Sequence, residues 1–321
     1  MNTTNSVKDE GRAYMQRALQ LSTFGGTEVS PNPFVGAVIV ARGRIISEGY
    51  HRQFGGPHAE VNAIHSVKDE DRHLLKESTM YVTLEPCSHH GKTPPCADLI
   101  ISTGIPHVVI ASEDPFPKVN GSGIDRMREA GIKVEVGLMH DEARVINRRF
   151  FTAHTLRRPY ILLKWAQSTD GFIAGAGGKP IKLSSDFTSM LMHRQRAFYD
   201  AILVGSNTIN TDNPRLNCRF WPCRDPEKRP LKVTFESSRL RGDSLLEKGD
   251  LIIKPREMPL EDFVKTLYAE HGITSLMVEG GKKTLESFLS EGLYDELRIE
   301  TSPITIGEGI EAPKIGATTA L

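Results

Sequence analysis

Strand-like apolar runs alternating with helix-period segments predict an α/β protein built as two domains. Three observations carry that prediction. Short apolar runs such as Phe34 to Val40 (FVGAVIV), Thr79 to Leu84 (TMYVTL) and His107 to Ser112 (HVVIAS) recur between amphipathic stretches. The 321 residues suggest two units at ~100–200 residues per domain. The alternation is also interrupted near His154 to Pro159 (HTLRRP), a basic stretch closed by proline. The expected boundary lies near 153–158 and divides the chain into residues 1–153 and 154–321.

Each element has a local reason. Glu10 to Ser22 places Ala13, Tyr14, Ala18, Leu19 and Leu21 at helix spacing, and Pro31 and Pro33 end the pattern. Phe34 to Val40 reads as a buried strand. The Arg42-Gly43 turn leads into its hairpin partner, Arg44 to Tyr50 (RIISEGY). Ala59 to Ser66 is helical, Thr79 to Leu84 a strand, and Ala97 to Thr103 a short helix ended by Gly104. The strand His107 to Ser112, the helix Gly123 to Ala130 and the strand Lys133 to Val136 follow. A hairpin followed by βαβαβ alternation implies a sheet buried between helices. In the second half, strands are expected at Tyr160 to Trp165, Ala201 to Gly205, Leu231 to Phe235, Leu251 to Lys254 and Ser275 to Val278. Helices are expected at Met190 to Tyr199, Leu260 to Glu270 and Lys283 to Leu289. No internal repeat or low-complexity segment is visible.

Composition narrows the function. Hydrophobic residues make up 39% and charged residues 25%, which is ordinary globular usage and excludes a disordered or collagenous chain. Forty Lys+Arg balance forty Asp+Glu, so there is no electrostatic footprint for nucleic acid or a membrane surface. The longest apolar run, Phe34 to Ala41, falls far short of the ~20 residues needed to span a bilayer. Met1 to Glu10 is polar and lacks a signal-peptide core. Four cysteines do not make a disulfide framework. A cytoplasmic enzyme is expected.

The chemistry concentrates in two segments, Gly55 to Ile64 (GGPHAEVNAI) and Thr83 to Asp98 (TLEPCSHHGKTPPCAD). They supply His58, Glu60, Cys87 and Cys96. One imidazole and two thiolates suit zinc and leave a fourth position for water, the pattern of a catalytic site. Zinc brings the pKa of bound water down toward ~7. Residues two apart on a helix are turned by ~200°, so His58 and Glu60 can converge only where the chain enters a helix from a loop. Gly55-Gly56-Pro57 supplies that loop, with Pro57 read as a first-turn proline. Cys96 likewise opens a helix after Pro94-Pro95, where the helix dipole favours a thiolate. Glu60 is then free to shuttle protons.

His-Ala-Glu followed by Pro-Cys and a second cysteine resembles the cytidine-deaminase-like signature. The usual Cys-x-x-Cys is replaced by a longer loop, LEPCSHHGKTPPC. That loop, with Pro31 to Gly36 (PNPFVG) and Gly49-Tyr50-His51, is similar to the deaminase half of the bifunctional riboflavin-biosynthesis deaminase/reductases. The likeness covers most of residues 10–150. It implies an αβα cytidine-deaminase-like domain whose zinc-activated water attacks an amino-bearing ring carbon while the glutamate moves protons. The implied substrate is a diaminopyrimidinone carrying a ribosyl 5′-phosphate. The loop with His89, His90, Gly91 and Lys92 is donor-rich and suits that phosphate, or is simply solvated. His90, Lys92, Asn32 and His51 are the candidate substrate contacts, although Asn32 and His51 could also be turn residues.

The second half carries Ser168-Thr169-Asp170-Gly171, Gly205-Ser206-Asn207-Thr208, Asp212-Asn213-Pro214, and Val278-Glu279-Gly280-Gly281 between a strand and a helix. Glycines there let backbone approach a ligand, but no G-x-G-x-x-G follows a strand and a Rossmann site is not supported. In order and spacing these pieces resemble the reductase half of the same family, which has a dihydrofolate-reductase-like fold and uses NADPH to open a ribosyl group to a ribityl chain. The resemblance places Ala166, Lys182, Thr208, Asp212, Ser237, Gly280 and Gly281 at the cofactor. It places Lys164, Ser185, Arg196, Leu216, Arg219 and Glu279 at the substrate. Arg196 and Arg219 suit a phosphate, though each could be an ordinary solvated arginine.

Three features depart from the family. Residues 175–183 (GAGGKPIKL) lack an aromatic and carry Lys182. Cys218 and Cys223 read as free thiols. The chain ends soon after Ile306 to Gly309, where the family continues through further strands. The expected activity is zinc-dependent deamination followed by NADPH-dependent reduction, in a homo-oligomer that binds a small-molecule substrate and neither nucleic acid nor membrane. The alternatives are a deaminase whose C-terminal domain is impaired, an RNA-editing deaminase, and a binding module with structural zinc.

Overall fold

The computed structural model describes residues 3–88, 95–116, 120–223, 230–238 and 251–316. Its contacts divide the chain into two compact units, Met1–Thr155 and Leu156–Leu321.

The first unit is a five-stranded sheet in the order β2-β1-β3-β4-β5, comprising β1 (Gly36–Ala41), β2 (Arg44–Tyr50), β3 (Thr79–Val82), β4 (His107–Ile110) and β5 (Lys133–Val136). β1 runs antiparallel to β2 and β3, while β3, β4 and β5 are parallel. The crossovers are α2 (Ala59–His65), α3 (Cys96–Thr103) and α4 (Ser122–Glu129). They pack one face of the sheet around Ile39, Met80, Val82, Ile100, Val108 and Ile110. Helix α1 (Thr3–Ser22) covers the other face with Met15, Ala18 and Leu19. A Cβ on Gly49 would sit 2.3 Å from the Ala63 nitrogen, so only glycine in β2 lets α2 lie this close to the sheet.

The second unit is a six-stranded parallel sheet in the order β10-β9-β8-β11-β6-β12. Its strands are β6 (Tyr160–Gln167), β8 (Ala201–Leu203), β9 (Leu231–Phe235), β10 (Leu251–Lys254), β11 (Ser275–Val278) and β12 (Glu296–Thr301). A small antiparallel pair joins β7 (Phe172–Gly175) to β13 (Gly309–Glu311). β6 alternates between two cores: Ile161, Leu163 and Trp165 face one, and Tyr160 and Leu162 face the other with Met192 and Met277.

The structure adds elements that the periodicity does not show. Two short helices, α5 (His140–Ile146) and α6 (Arg148–Leu156), precede a positive-φ residue, Arg157. The helical path ends there, two residues before Pro159. α7 begins at Asp186 instead of Met190, because the Ser185 side chain caps it by accepting from the Thr188 N–H. Helix α8 (Ser206–Asp212) is polar, with Ile209 as its one apolar residue, and shows no helix periodicity in the sequence. Pro57 lies outside α2, whose N-cap is His58. No described helix is long and apolar enough to cross a membrane.

Candidate metal and active sites

At the first site, helix entry does the positioning. His58 has extended backbone as the N-cap of α2, and Glu60 is the second residue of that helix. Cys96 is the first residue of α3, with Pro95 as its N-cap. The ligand atoms of His58, Cys87 and Cys96 lie within 4.8 Å of one another, the one such cluster among the described residues. The His58 Nδ1 is 3.7 Å from the Cys87 Sγ and 3.4 Å from the Cys96 Sγ. A tetrahedral zinc with ordinary Zn–N and Zn–S bonds needs N···S separations of roughly 3.5 Å, so the donor set fits zinc in type and spacing. The Cys96 N–H also points at the Cys87 Sγ, at 3.4 Å.

The electrostatics favour a thiolate before any metal arrives. Hydrogen bonding with Cys96, joined by His58, holds the Cys87 thiol down at about 4. Hydrogen bonding to Cys87 pushes His58 up to about 9. The same partner, together with burial, pushes Cys96 well above the ordinary thiol range. Glu60 is 3% exposed and its Oε2 has no hydrogen-bond partner. Burial pushes this carboxyl up to about 7. A buried, unpartnered carboxyl oxygen beside three metal donors is poised to exchange protons.

Asn32 and His51 are brought to the same place. The buried His51 ring stands edge-on to His58, with centroids 5.5 Å apart. Its Nδ1–H donates to the Pro57 carbonyl at 3.0 Å, which leaves Nε2 to accept from the Asn32 Nδ2 at 3.0 Å. Burial lowers the His51 pKa. Asn147 holds the neighbouring loop by bonding both backbone groups of Phe34, each at 2.8 Å. His90 and Lys92 lie outside the described residues.

Sequence reasoning missed Glu85. Its buried carboxylate accepts from the backbone N–H groups of Gly121 and Gly123 at 2.9 Å, Asp114 at 3.2 Å and Ile124 at 3.4 Å. It thereby ties the start of α4 to the strand end that carries Pro86 and Cys87. The signal was present in LEPC, but a glutamate in a motif does not reveal backbone partners more than 28 residues away.

In the second unit the candidate residues gather at the carboxyl ends of the parallel strands, where open α/β sheets place ligands. Gly205 follows β8, and Glu279, Gly280 and Gly281 follow β11, with Gly281 as the N-cap of the helix Lys282–Ser290. Glu279 receives a two-pronged pair from Arg196, Nε to Oε1 at 3.0 Å and Nη2 to Oε2 at 2.6 Å. Although burial opposes it, the Arg196 charge leaves the Glu279 pKa below its usual value. The Arg196 fork therefore faces a carboxylate, where the sequence suggested a phosphate or a solvated face. Its remaining Nη1 reaches the Asn217 carbonyl at 3.4 Å. Arg219 is exposed and held at one nitrogen by the Asn217 Oδ1, 2.9 Å away. Lys164 is buried and pairs with Glu300 at 3.2 Å.

The remaining candidates are placed as follows. Lys182 is exposed and pairs with Asp186 at 2.6 Å. Ser185 caps α7, and Leu216 is buried with a φ of 49°. Thr208 and Asp212 lie on α8, and a Cβ on Gly281 would stand 3.7 Å from the Thr208 Oγ1. Ala166 is near the end of β6, and Ser237 follows β9. Cys218 is buried and Cys223 is half-buried, and neither is in a disulfide.

Fold and site together define a zinc-dependent deaminase unit joined to a second α/β unit whose candidate residues lie at its strand ends. Comparisons with known proteins carry this further. Residues 8–112 match the cytidine and deoxycytidylate deaminase zinc-binding region, and residues 159–317 match the RibD C-terminal domain. The chain is 39% identical to the riboflavin biosynthesis protein RibD of Aquifex aeolicus, over 97% of this chain and 92% of that protein. It is 35% identical to RibD of Escherichia coli, over 92% and 88%. Among solved structures, a Thermotoga maritima diaminohydroxyphosphoribosylaminopyrimidine deaminase/5-amino-6-(5-phosphoribosylamino)uracil reductase is similar at 35% identity. Its TM-score is 0.85, covering 98% of this chain and 93% of that one. Acinetobacter baumannii RibD aligns with a TM-score of 0.88 at 31% identity, covering 98% and 94%. The chain belongs to the RibD family of riboflavin biosynthesis proteins, bifunctional enzymes with a zinc-binding deaminase domain and an NADPH-using reductase domain.

Proposed function

We propose that residues 1–153 deaminate 2,5-diamino-6-(5-phosphoribosylamino)pyrimidin-4-one and that residues 154–321 then reduce the ribosyl group of the product to ribityl. The single observation that carries the reading is the set of three metal donors with the buried Glu60 carboxyl beside them, its Oε2 without a hydrogen-bond partner. His58, Cys87 and Cys96 would hold zinc, which supplies a water acidic enough to attack the amino-bearing ring carbon near neutral pH. Glu60 would take one proton from the attacking water and give it to the ring nitrogen, then carry the second, from the hydroxyl of the adduct, to the departing amine, so that ammonia leaves. Its elevated pKa suits both halves of this exchange. Asn32 contacts the substrate, and His51 fixes which way the Asn32 amide faces. His90 and Lys92 bind the phosphate.

In the second unit, Ala166, Lys182, Thr208, Asp212, Ser237, Gly280 and Gly281 hold NADPH, which supplies the hydride for the ribosyl C1. Lys164, Ser185, Leu216, Arg219 and Glu279 hold the deaminated substrate. Arg196 acts on it by fixing the Glu279 carboxylate. The enzyme works in the cytoplasm as a homo-oligomer. The exposed edge of β12, where Ile299 faces outward, is consistent with an assembly.

Glu60→Gln tests the assignment on purified protein. It should lower the deamination rate by about 10²–10⁴-fold or more, with zinc content and NADPH oxidation on pre-deaminated substrate unchanged. Deamination at the wild-type rate would remove Glu60 from the mechanism.

A further inference from the structure

Lys164 occupies a position where strand alternation puts an apolar residue. It shares a face of β6 with Tyr160 and Leu162, which are core residues, and its side chain is 8% exposed. A lysine so placed needs a counter-charge. The structure supplies one from the edge of the sheet: the Glu300 Oε2 lies 3.2 Å from the Lys164 Nζ. The same oxygen accepts from the Ser184 hydroxyl at 3.2 Å. Ser184 immediately precedes Ser185, the cap of α7, and α7 carries Arg196 with its grip on Glu279.

The edge strand is unusual along this whole face. Glu296, Arg298 and Glu300 lie opposite Leu162, Lys164 and Ala166, and each bonds a side chain of the same unit. Glu296 accepts from the Tyr160 hydroxyl at 3.0 Å, and Arg298 donates to the Gln195 side chain on α7. Charged side chains on an edge strand can serve to discourage sheet-to-sheet association. That explanation covers Glu296 and Arg298. It does not cover why the interior partner of Glu300 is itself charged. A buried ion pair seldom stabilises a fold more than well-packed apolar residues of the same volume, so stability alone does not call for Lys164 and Glu300.

We propose that Glu300 is a positioning residue of the reductase. It holds the Lys164 ammonium at the proposed substrate site, and Ser184 locks the Glu300 carboxylate to the segment that caps α7. The two carboxylates then have distinct duties. Glu279 is fixed by Arg196 and faces the substrate, whereas Glu300 acts only through Lys164. The proposal rests on the reading that Lys164 contacts the substrate.

The test is a mutant cycle on the full-length, zinc-loaded protein. Lys164→Met, Glu300→Gln, the double variant, Glu300→Asp and Ser184→Ala are compared for reductase kcat, KM for the deaminated ribosyl phosphate, KM for NADPH, and Tm. Deaminase activity reports whether the rest of the chain is intact. Glu300→Gln should lower reductase kcat about 10- to 100-fold, since small displacements of a positioned group carry penalties of that order. KM for NADPH and deamination should not change. Glu300→Asp should recover part of the rate, Ser184→Ala should lose only a few-fold, and the double variant should be no slower than Lys164→Met alone. If Lys164→Met is impaired while Glu300→Gln has wild-type kcat, Glu300 has no such role although Lys164 keeps its own. If Lys164→Met is itself normal, both assignments fall together. A double variant slower than Lys164→Met by the full Glu300→Gln factor, or a Glu300→Gln defect that disappears below its lowered Tm, also overturns the proposal.

Discussion

Replacing Glu85 by alanine should destabilise the deaminase unit and leave the reductase unit alone. The carboxylate accepts two backbone hydrogen bonds of 2.9 Å, from Gly121 and Gly123, and two longer ones from Asp114 and Ile124. Hydrogen bonds to a charged group contribute ~1.5–3 kcal/mol each, and a buried donor left without its acceptor costs ~1–3 kcal/mol. Asp114, Gly123 and Ile124 are buried, so their N–H groups cannot turn to water without local unfolding. Gly121 is partly exposed and can recover a water. The start of α4 also loses an anion near its positive end, worth ~0.3–1 kcal/mol. Removing the cost of burying Glu85 offsets part of this, leaving a net loss of about 3–4 kcal/mol. That is a large share of the ~5–15 kcal/mol that holds a typical domain together. For a unit of this size the loss corresponds to a midpoint lower by roughly 10 °C. The assay is residual deaminase and reductase activity after stepped heating, with released zinc measured in the same samples. Glu85→Ala should lose zinc and deamination at the lower temperature, while reductase inactivation keeps its wild-type midpoint. A deaminase midpoint within about 2 °C of wild type would refute the anchoring argument, and so would parallel loss of both activities.

Further expectations follow from the same geometry. Burial pushes Asp114 up to about 7, from an ordinary value near 3.8. Between those values the folded chain binds the proton that the unfolded chain has released, so this group's contribution to stability falls as pH rises toward 7. Asn at this position keeps an acceptor for the Phe116 N–H, 2.8 Å away. Asp114→Asn should therefore raise the deaminase unit's denaturation midpoint at pH 8 and leave it unchanged near pH 4. A midpoint that responds equally at both values would contradict the burial argument. In the second unit, a Cβ on Gly280 would fall 2.5 Å from the Thr284 Cβ, and one on Gly205 would fall 2.6 Å from the Thr284 Oγ1. Thr284 is thus wedged between the ends of β8 and β11. Gly280→Ala should weaken NADPH binding about tenfold by fluorescence titration, with deamination intact. Unchanged affinity would place the cofactor elsewhere.

Much of this organisation was legible in the residues themselves. Most strands of the two sheets follow from short apolar runs, and Lys133–Val136, Leu231–Phe235, Leu251–Lys254 and Ser275–Val278 have the same limits in the structure. The metal donors were visible because helix entry after proline constrains where His58 and Cys96 can sit. What escaped was whatever depends on partners distant in sequence. β12 (ELRIET) has only Leu297 and Ile299 as apolar residues between charged ones, too short a pattern to mark an edge strand by sequence. β7 and β13 are short and gain their identity only by pairing with each other. Glu85 and Glu300 look like surface acids until the backbone donors of one and the lysine of the other are seen. Arg196 was read as facing a phosphate or solvent for the same reason: its carboxylate partner, Glu279, is 83 residues away.

The central claim is that one chain performs two reactions in a fixed order, and a coupled assay tests it most directly. Zinc-loaded protein is given the diaminopyrimidinone ribosyl phosphate, with ammonia release and NADPH absorbance followed together. Ammonia should be released with or without NADPH, and NADPH consumption should begin only after ammonia appears. Chelation of zinc should stop both signals, and adding the deaminated product should restore NADPH consumption alone. Ammonia release without any later NADPH loss would contradict the two-reaction account, and NADPH loss before deamination would contradict its order.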